Sequence, residues 1–277
     1  MNTHNLTVGL MTSQNSLDRA AAVLLSWAKD LPNIYFVTDK DNKDKRFLNL
    51  SKGREGVFKP TDYRSNTEKQ IELVKHLYYN CEPTEWYLLA DDDTYIYIDN
   101  LIELLKDKTS NDPVYAGKMI NFCAWDHNLI YASGGAGFIL NRKALKLLAE
   151  QWQIIPYAES HIIDNLYADV AQGFALRERG VKPTQCYYFC SEFFSKKNNL
   201  QGILPKAKEQ ELLYSRKILF WFFNKIISYH RITPQYMIGI NWKNLETPMN
   251  LQTKNNIEIN ISNKLHKEWT NLQNELK

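Results

Sequence analysis

WYLLADDDTYIYIDN, residues 86–100, runs an apolar segment straight into three consecutive carboxylates, Asp91, Asp92 and Asp93, and then returns to apolar residues. Five apolar residues in a row, WYLLA, read as a buried strand, which places the aspartates at its C-terminal end. Open α/β sheets bind ligands outside the carboxyl ends of their strands. Three adjacent negative charges repel one another, so the arrangement makes most sense where a cation or a set of donors meets them. A divalent metal that also grips a diphosphate is one such cation. A solvated loop, or a helix cap with a spare charge, is the plainer reading of the triplet.

The flanking segments supply the rest of an α/β chain. LTVGLMTS, from Leu6, alternates and then stops at polar residues, as a strand does. SLDRAAAVLLSWAKD, from Ser16, reads as a helix with Ser16 at its cap, and NIYFVTD as a second strand ending in Asp39. A β-α-β opening predicts a parallel sheet flanked by helices. Residues 40–65 are polar and read as a loop, and NTEKQIELVKHLYYN restores helical spacing through Ile71, Val74 and Tyr78. NLIELLK follows the aspartates as a helix, with Asn100 and Glu103 placed as a capping box. Further on come a strand at VYAGK, a glycine-rich turn running into a strand at YASGGAGFIL, and a helix at NRKALKLLAE capped by Asn141. In DNLYADVAQGFALRERG, Leu166, Val170 and Phe174 fall at helical spacing and Gly180 is placed to stop the helix. The expected organisation is one catalytic domain over residues 1–242 and a polar, Asn/Lys-rich tail over 243–277 that is helical at its end.

A chain of 277 residues, 44% hydrophobic and 13% aromatic, can bury a large core, which excludes a disordered protein. A formal charge of +3 is small for this length and does not by itself argue for nucleic acid, which calls for a strongly basic face. Cys81, Cys123, Cys186 and Cys190 are too few and scattered for a disulfide framework, and the CxxxC spacing of the last pair is a weak zinc signal. They are expected to be structural or free thiols. No apolar run approaches the ~20 residues that span a bilayer, and MNTHNLTVGL lacks the charge and apolar core of a leader. A cytoplasmic enzyme is therefore the expectation, with the Golgi lumen the alternative only if the chain is part of a longer protein. The sequons at Asn5, Asn49 and Asn260 are common by chance in an Asn-rich chain and are not read as glycosylation sites. Two stretches are open to peripheral membrane contact: RKILFWFFNK, and the tail helix with Leu265, Trp269, Leu272 and Leu276 on one face. Burial of the first and docking of the second on the domain or on a partner are the competing readings.

The run WYLLADDDTYIYIDNLIELL resembles the corresponding segment of the Fringe and core 1 β1,3-galactosyltransferase group, glycosyltransferase family 31, with the core 1 enzymes closer. The resemblance continues in family order through YASGGAGFILNRKAL, ADVAQGFALRERGV and IISYHRITPQYM, and covers roughly residues 6–240. MTSQNSLDRAAAVLLSW is similar to the family's first strand and helix, with Thr12, Arg19 and Trp27 at recurring positions.

The resemblance implies a GT-A fold, a single Rossmann-like mixed sheet flanked by helices, and an inverting, metal-dependent transfer of a hexose or N-acetylhexosamine from a UDP-sugar to a glycan hydroxyl, β1,3-linked. It implies a metal held by Asp93, Asp91 and His230, with Mn²⁺ favoured over Mg²⁺ because an imidazole suits the transition metal. Asp91 and Asp92, with Thr12, Arg19, Gly134 and Gly135, are the expected nucleotide-sugar contacts. The catalytic base falls on Asp169. There the family carries an acid before the Asp and this chain has Ala168, which leaves the role of that acid open; a first-turn aspartate favoured by the helix dipole is the alternative. SGGAG lacks the Lys and Ser/Thr of a P-loop and the GxGxxG spacing, so it is not read as a phosphate cradle; Gly134 and Gly135 either line the site or make a tight turn. Lys69 lies where relatives carry a basic residue. Trp125, beside Asp126 and His127, stands in a stretch that departs from the family and is the expected acceptor contact. The expected partners are a UDP-sugar donor and a glycan or glycolipid acceptor, in surface polysaccharide or lipooligosaccharide synthesis. Core 1 likeness favours galactose as the donor sugar and Fringe likeness N-acetylglucosamine. A non-catalytic glycan- or nucleotide-binding module on the same fold, or a hydrolase using the same aspartates, are the rival readings; the second lacks a convincing nucleophile and phosphate loop.

Overall fold

The structure is a computed structural model of the chain, and it describes residues 2–49, 65–108, 110–121, 129–151, 167–190, 225–239 and 263–276. In chain order the strands are β1 Leu6–Met11, β2 Ile34–Thr38, β3 Phe47–Asn49, β4 Trp86–Asp91, β5 Tyr95–Ile96, β6 Tyr115–Gly117, β7 Met119–Asn121, β8 Ile130–Ala132, β9 Phe138–Asn141, β10 Pro183–Gln185, β11 Phe189–Cys190 and β12 Ser228–Tyr229. The helices are α1 Leu17–Leu25, α2 Ser65–Tyr79, α3 Ile98–Leu105, α4 Arg142–Gln151, α5 Ala168–Arg177, α6 Pro234–Gly239 and α7 Asn263–Leu276.

The main sheet has the order β10-β6-β9-β4-β1-β2-β3. Its centre is parallel, with β1 between β2 and β4, and only β9 runs against its neighbours β4 and β6. This is the mixed sheet flanked by helices expected from the sequence. The central strands are apolar on both faces because helices cover both: Leu6, Val8, Leu10, Trp86 and Leu88 pack toward α1, while Tyr87, Leu89, Phe138 and Leu140 pack toward α2, α4 and α5. β1, β2 and β4 therefore deliver Thr12, Asp39 and Asp91 to one edge of the sheet.

Two smaller pairings complete that edge. β9 enters the sheet opposite the C-terminal end of β4, Phe138 facing Leu89, so the glycine-rich turn that precedes β9 lies beside the aspartates. β12 pairs antiparallel with β5, Tyr229 facing Tyr95, and this brings a segment from far down the chain back to the residues just after the triplet.

Several ends behave as the local sequence requires. Asn141 caps α4, its Oδ1 accepting the Ala144 N–H at 3.0 Å, and Gly180, at φ +71°, ends the turn after α5 in a conformation that favours glycine. The capping box read at Asn100 and Glu103 is not formed. α3 begins three residues earlier, after Tyr97, and Asn100 instead donates to the Ile226 carbonyl at 2.6 Å. The loop read over residues 40–65 contains β3, three residues added to the sheet edge, and the rest of it falls largely outside the described residues.

α7 lies on α1. Trp269 and Leu276 are buried there, Leu272 is half-buried, and the Trp269 Nε1 donates to the Asp18 carbonyl at 3.0 Å. Trp269, Leu272 and Leu276 of the tail's apolar stripe are thus covered by the domain. Cys81, Cys186 and Cys190 are free thiols. No helix among the described residues is long and apolar enough to cross a membrane. Trp125, Asp126, His127, Cys123, Leu166 and Asn260, and nearly all of RKILFWFFNK, lie outside the described residues.

Candidate active site

The three aspartates point in different directions, because adjacent residues at a strand end alternate. Asp91, the last residue of β4, and Asp93 face His230; Asp92 turns back toward α1. The His230 Nε2 lies 3.1 Å from Asp93 Oδ1 and 3.9 Å from Asp91 Oδ2. One ligand atom from each of these three residues lies within 4.8 Å of the others. Asp92 is buried, its Oδ2 accepting the Thr12 hydroxyl at 2.7 Å. Arg19, in the first turn of α1, places Nη1 3.4 Å from Asp92 Oδ1 and 3.3 Å from Asp93 Oδ2.

His230 is held from both sides in sequence. Its N–H donates to the Cys190 carbonyl, the following Arg231 turns at φ +62°, and the Ile232 N–H donates to the Asp93 carbonyl at 2.8 Å. The imidazole rests on Gly135, where an added Cβ would fall 2.2 Å from Cε1 and 2.5 Å from Nε2. Glycine at 135 is therefore a condition of the histidine's position. The turn carrying Gly135 is fixed in its own right: Thr94 Oγ1 donates to the Gly135 carbonyl at 2.7 Å, and Ser228 Oγ to the Ala136 carbonyl.

Asp169 is the second residue of α5. Its Oδ2 accepts the Gly134 N–H at 2.9 Å and its Oδ1 the Val170 N–H at 2.9 Å. Glycine at 134 leaves the carboxylate room, since a Cβ would stand 3.3 Å from the Asp169 Cβ. Position is locked further down the helix by Gly173, which lets Tyr131 of β8 come within van der Waals distance, and by Gln172, which accepts from Gln70 of α2 at 2.6 Å. Ala168 offers no second carboxylate beside Asp169.

Burial and mutual repulsion set the charges. Burial, with Asp93 beside it, pushes the Asp91 carboxyl up to about 7, although 42% of its side chain stays open to solvent. Burial pushes Asp92 up to about 6 against the pull of Thr12 and Arg19. Asp93 goes the other way: burial alone would raise it, but His230 and Arg19 together hold it below the usual carboxylate range. Burial also raises Asp169, against two backbone N–H donors and the nearby His230.

A divalent cation fits this arrangement. Asp93 Oδ1 is buried with no hydrogen-bond donor aligned to it among the described residues, and it faces an imidazole nitrogen and a second carboxylate. Two carboxylates and one imidazole are a donor set suited to Mn²⁺.

One residue at this edge, Asp39, was not drawn out by the sequence, and it stands beside Lys69, which was. Asp39, at the end of β2, accepts the Gln14 N–H at 2.7 Å and ties the β1–α1 turn to β2. Lys69 of α2 is buried, its pKa lowered by that burial against the charge of Asp39. The strand-end rule that singled out Asp91 applies equally to Asp39.

A family model described as Fringe-like matches residues 2–253. Glycoprotein-N-acetylgalactosamine 3-beta-galactosyltransferase 1 of Xenopus laevis is 32% identical over 139 residues, 49% of this chain and 36% of that protein. Beta-1,3-glucosyltransferase of Mus musculus is 33% identical over 132 residues, 47% of this chain and 26% of that protein. The chain thus spans between about a fifth and just over a third of the length of the curated relatives it matches. Among solved structures, galactosyltransferase LgtC in complex with donor and acceptor sugar analogs has a TM-score of 0.46 and 13% identity, over 98% of this chain and 96% of that one.

Proposed function

Since the chain belongs to the Fringe-like family, we propose that it is an inverting, metal-dependent glycosyltransferase that moves a sugar from a UDP-sugar to a hydroxyl of a glycan. Galactose is the favoured sugar and β1,3 the favoured linkage, from the likeness to the β1,3-transferases, and a surface polysaccharide or lipooligosaccharide is the favoured acceptor. The observation that carries the reading is the pairing of two chemistries at one sheet edge: a cation seat at Asp91, Asp93 and His230, and a half-buried carboxylate, Asp169, on the far side of the glycine turn.

Inversion needs the acceptor oxygen to attack the anomeric carbon from the face opposite the leaving diphosphate. The C–O bond to the diphosphate breaks as the new C–O bond forms, UDP departs with the electron pair, and the acceptor proton goes to a base. Asp169 serves as that base. The Gly134 and Val170 N–H groups fix its carboxylate, and the raised pKa makes the ionised form a stronger proton acceptor than an exposed aspartate. Mn²⁺ would be held by Asp91, Asp93 and His230, where it supplies positive charge for the diphosphate. Arg19 has an exposed guanidinium suited to a phosphate oxygen. Thr12 keeps Asp92 in place, which in turn orients Arg19.

The test is UDP release from a panel of UDP-sugars without acceptor, with Mn²⁺ and with chelator. Release from one sugar that stops with chelator supports the reading and names the donor. No release from any sugar, together with no Mn²⁺-dependent UDP binding, overturns it.

A further inference from the structure

We infer that Arg19 couples cation binding to nucleotide binding, by opposing a cation at the Asp91–Asp93–His230 seat until a diphosphate offsets its charge. The inference rests on the reading of that seat given above, and it concerns what the guanidinium does before substrate arrives.

Asp93 is shared. Its Oδ1 faces His230 at 3.1 Å and its Oδ2 faces Arg19 Nη1 at 3.3 Å, so one carboxylate stands between the cation seat and a permanent positive charge. The same Nη1 reaches Asp92 Oδ1 at 3.4 Å, and Asp92 is itself anchored by Thr12. A single guanidinium nitrogen thus spans both carboxylates that follow Asp91. Nε and Nη2 of Arg19 have no partner among the described residues, and 44% of the side chain is open to solvent. The inner edge of the guanidinium is committed to carboxylates while its outer edge is free to take an anion.

This geometry has an electrostatic consequence with a definite sign. A guanidinium carries its charge at every accessible pH, so it repels a cation that shares Asp93 with it and draws off part of that carboxylate's negative charge. A diphosphate on the outer edge of Arg19 cancels the repulsion and adds negative charge beside the seat. Cation and nucleotide then each strengthen the binding of the other by one common factor, as linkage requires. The alternative role, in which Arg19 merely holds Asp92 and Asp93 in position, has the opposite sign: without it the carboxylates would spread and the cation would bind less well.

The experiment is titration of Mn²⁺, read from the electron paramagnetic resonance of free Mn²⁺, into the whole chain and its Arg19→Met and Arg19→Lys variants. Each is titrated alone and with saturating UDP, and the Mn²⁺–UDP complex measured without protein is subtracted. Arg19→Met should bind Mn²⁺ alone about three- to tenfold more tightly, the size of one partly exposed charge interaction, and UDP should then tighten Mn²⁺ binding far less than in the parent chain. Arg19→Lys, which keeps the charge, should restore weak binding of Mn²⁺ alone. If Arg19→Met binds Mn²⁺ alone as weakly as the parent or more weakly, or keeps the full effect of UDP, the inference is overturned while the metal seat stands. Failure of the parent chain to hold Mn²⁺ even with UDP overturns the metal reading itself, and the inference with it.

Discussion

Gly135→Ala should empty the cation seat without unfolding the protein. The new Cβ would fall 2.2, 2.5 and 2.6 Å from three atoms of the His230 ring, where side-chain Cβ atoms almost never approach within 3.0 Å. Restoring an ordinary contact of about 3.4 Å moves the ring by roughly 1.2 Å, several times the ±0.2 Å over which metal–ligand distances are tolerated. Neither partner can yield cheaply. The turn is pinned by Thr94 and Ser228 on its carbonyls and by Asp169 on the Gly134 N–H. The histidine backbone is pinned by Cys190, by the Ile232 bond to Asp93 and by the buried Tyr229 that precedes it. The imidazole must therefore rotate away from Asp93. Mn²⁺ binding with UDP present should weaken by ~10- to 100-fold or more, the range seen when a ligand loses its support. Far-UV circular dichroism should match the parent, since the clash is with one side chain. Unchanged Mn²⁺ affinity in a folded Gly135→Ala variant would refute the argument, because it would mean that the ring does not need its present position to ligate.

Asp169→Asn should abolish transfer by at least about 100-fold while Mn²⁺-dependent UDP binding persists, as expected of a lost general base; near-normal turnover sinks the assignment. The acid side of the pH–rate profile should lie above the range of an exposed carboxylate, ~4, because burial raises Asp169 in the fold and the base works only when ionised; a limb at or below pH ~4 counts against it. Mn²⁺ binding should weaken as pH falls through about 7, since Asp91 is pushed up to about 7 and must shed its proton to take a cation; calorimetry at pH 8 and pH 6 reads the sign. Trp269→Ala should lower stability by about 3 kcal/mol in urea denaturation, through lost burial against α1 and the lost bond to the Asp18 carbonyl; a change below ~1 kcal/mol would show that α7 is not part of the folded core.

Much of this was legible because the decisive residues sit where period and strand ends speak plainly. WYLLA reads as a buried strand, which sets Asp91 at a sheet edge, and the helices from Ser65 and Arg142 follow their apolar spacing closely. What the sequence could not give was mutual orientation. That Asp92 turns from the seat to meet Thr12, while its neighbours turn toward His230, depends on a register of β1 against β4 that no local pattern encodes. His230 was reached only through its family resemblance, because β12 is two residues long and its pairing with β5 spans more than a hundred residues of chain. Gly135 looked like a ligand-lining or turn glycine, and its contact with an imidazole is a fact of tertiary structure. Asn100 failed as a cap because α3 begins at Ile98 and takes it into the first turn, where its amide donates to the distant Ile226 carbonyl.

The hairpin of β7 and β8 has a bearing on how such a chain can diversify. Asn121 and Ile130 are paired across it, and Tyr131 is seated against Gly173 on the helix that carries Asp169. Residues 122–128 therefore leave and rejoin the domain at one fixed doorway. A stretch of different length or composition could be spliced between those two posts without shifting Asp169, His230 or the aspartates. If Trp125 contacts the acceptor, as its place in this stretch suggests, exchanging residues 122–128 would change the recipient and leave the proposed base and cation seat in place. Chimaeras exchanged at those posts would be the natural way to give the same donor machinery a new recipient.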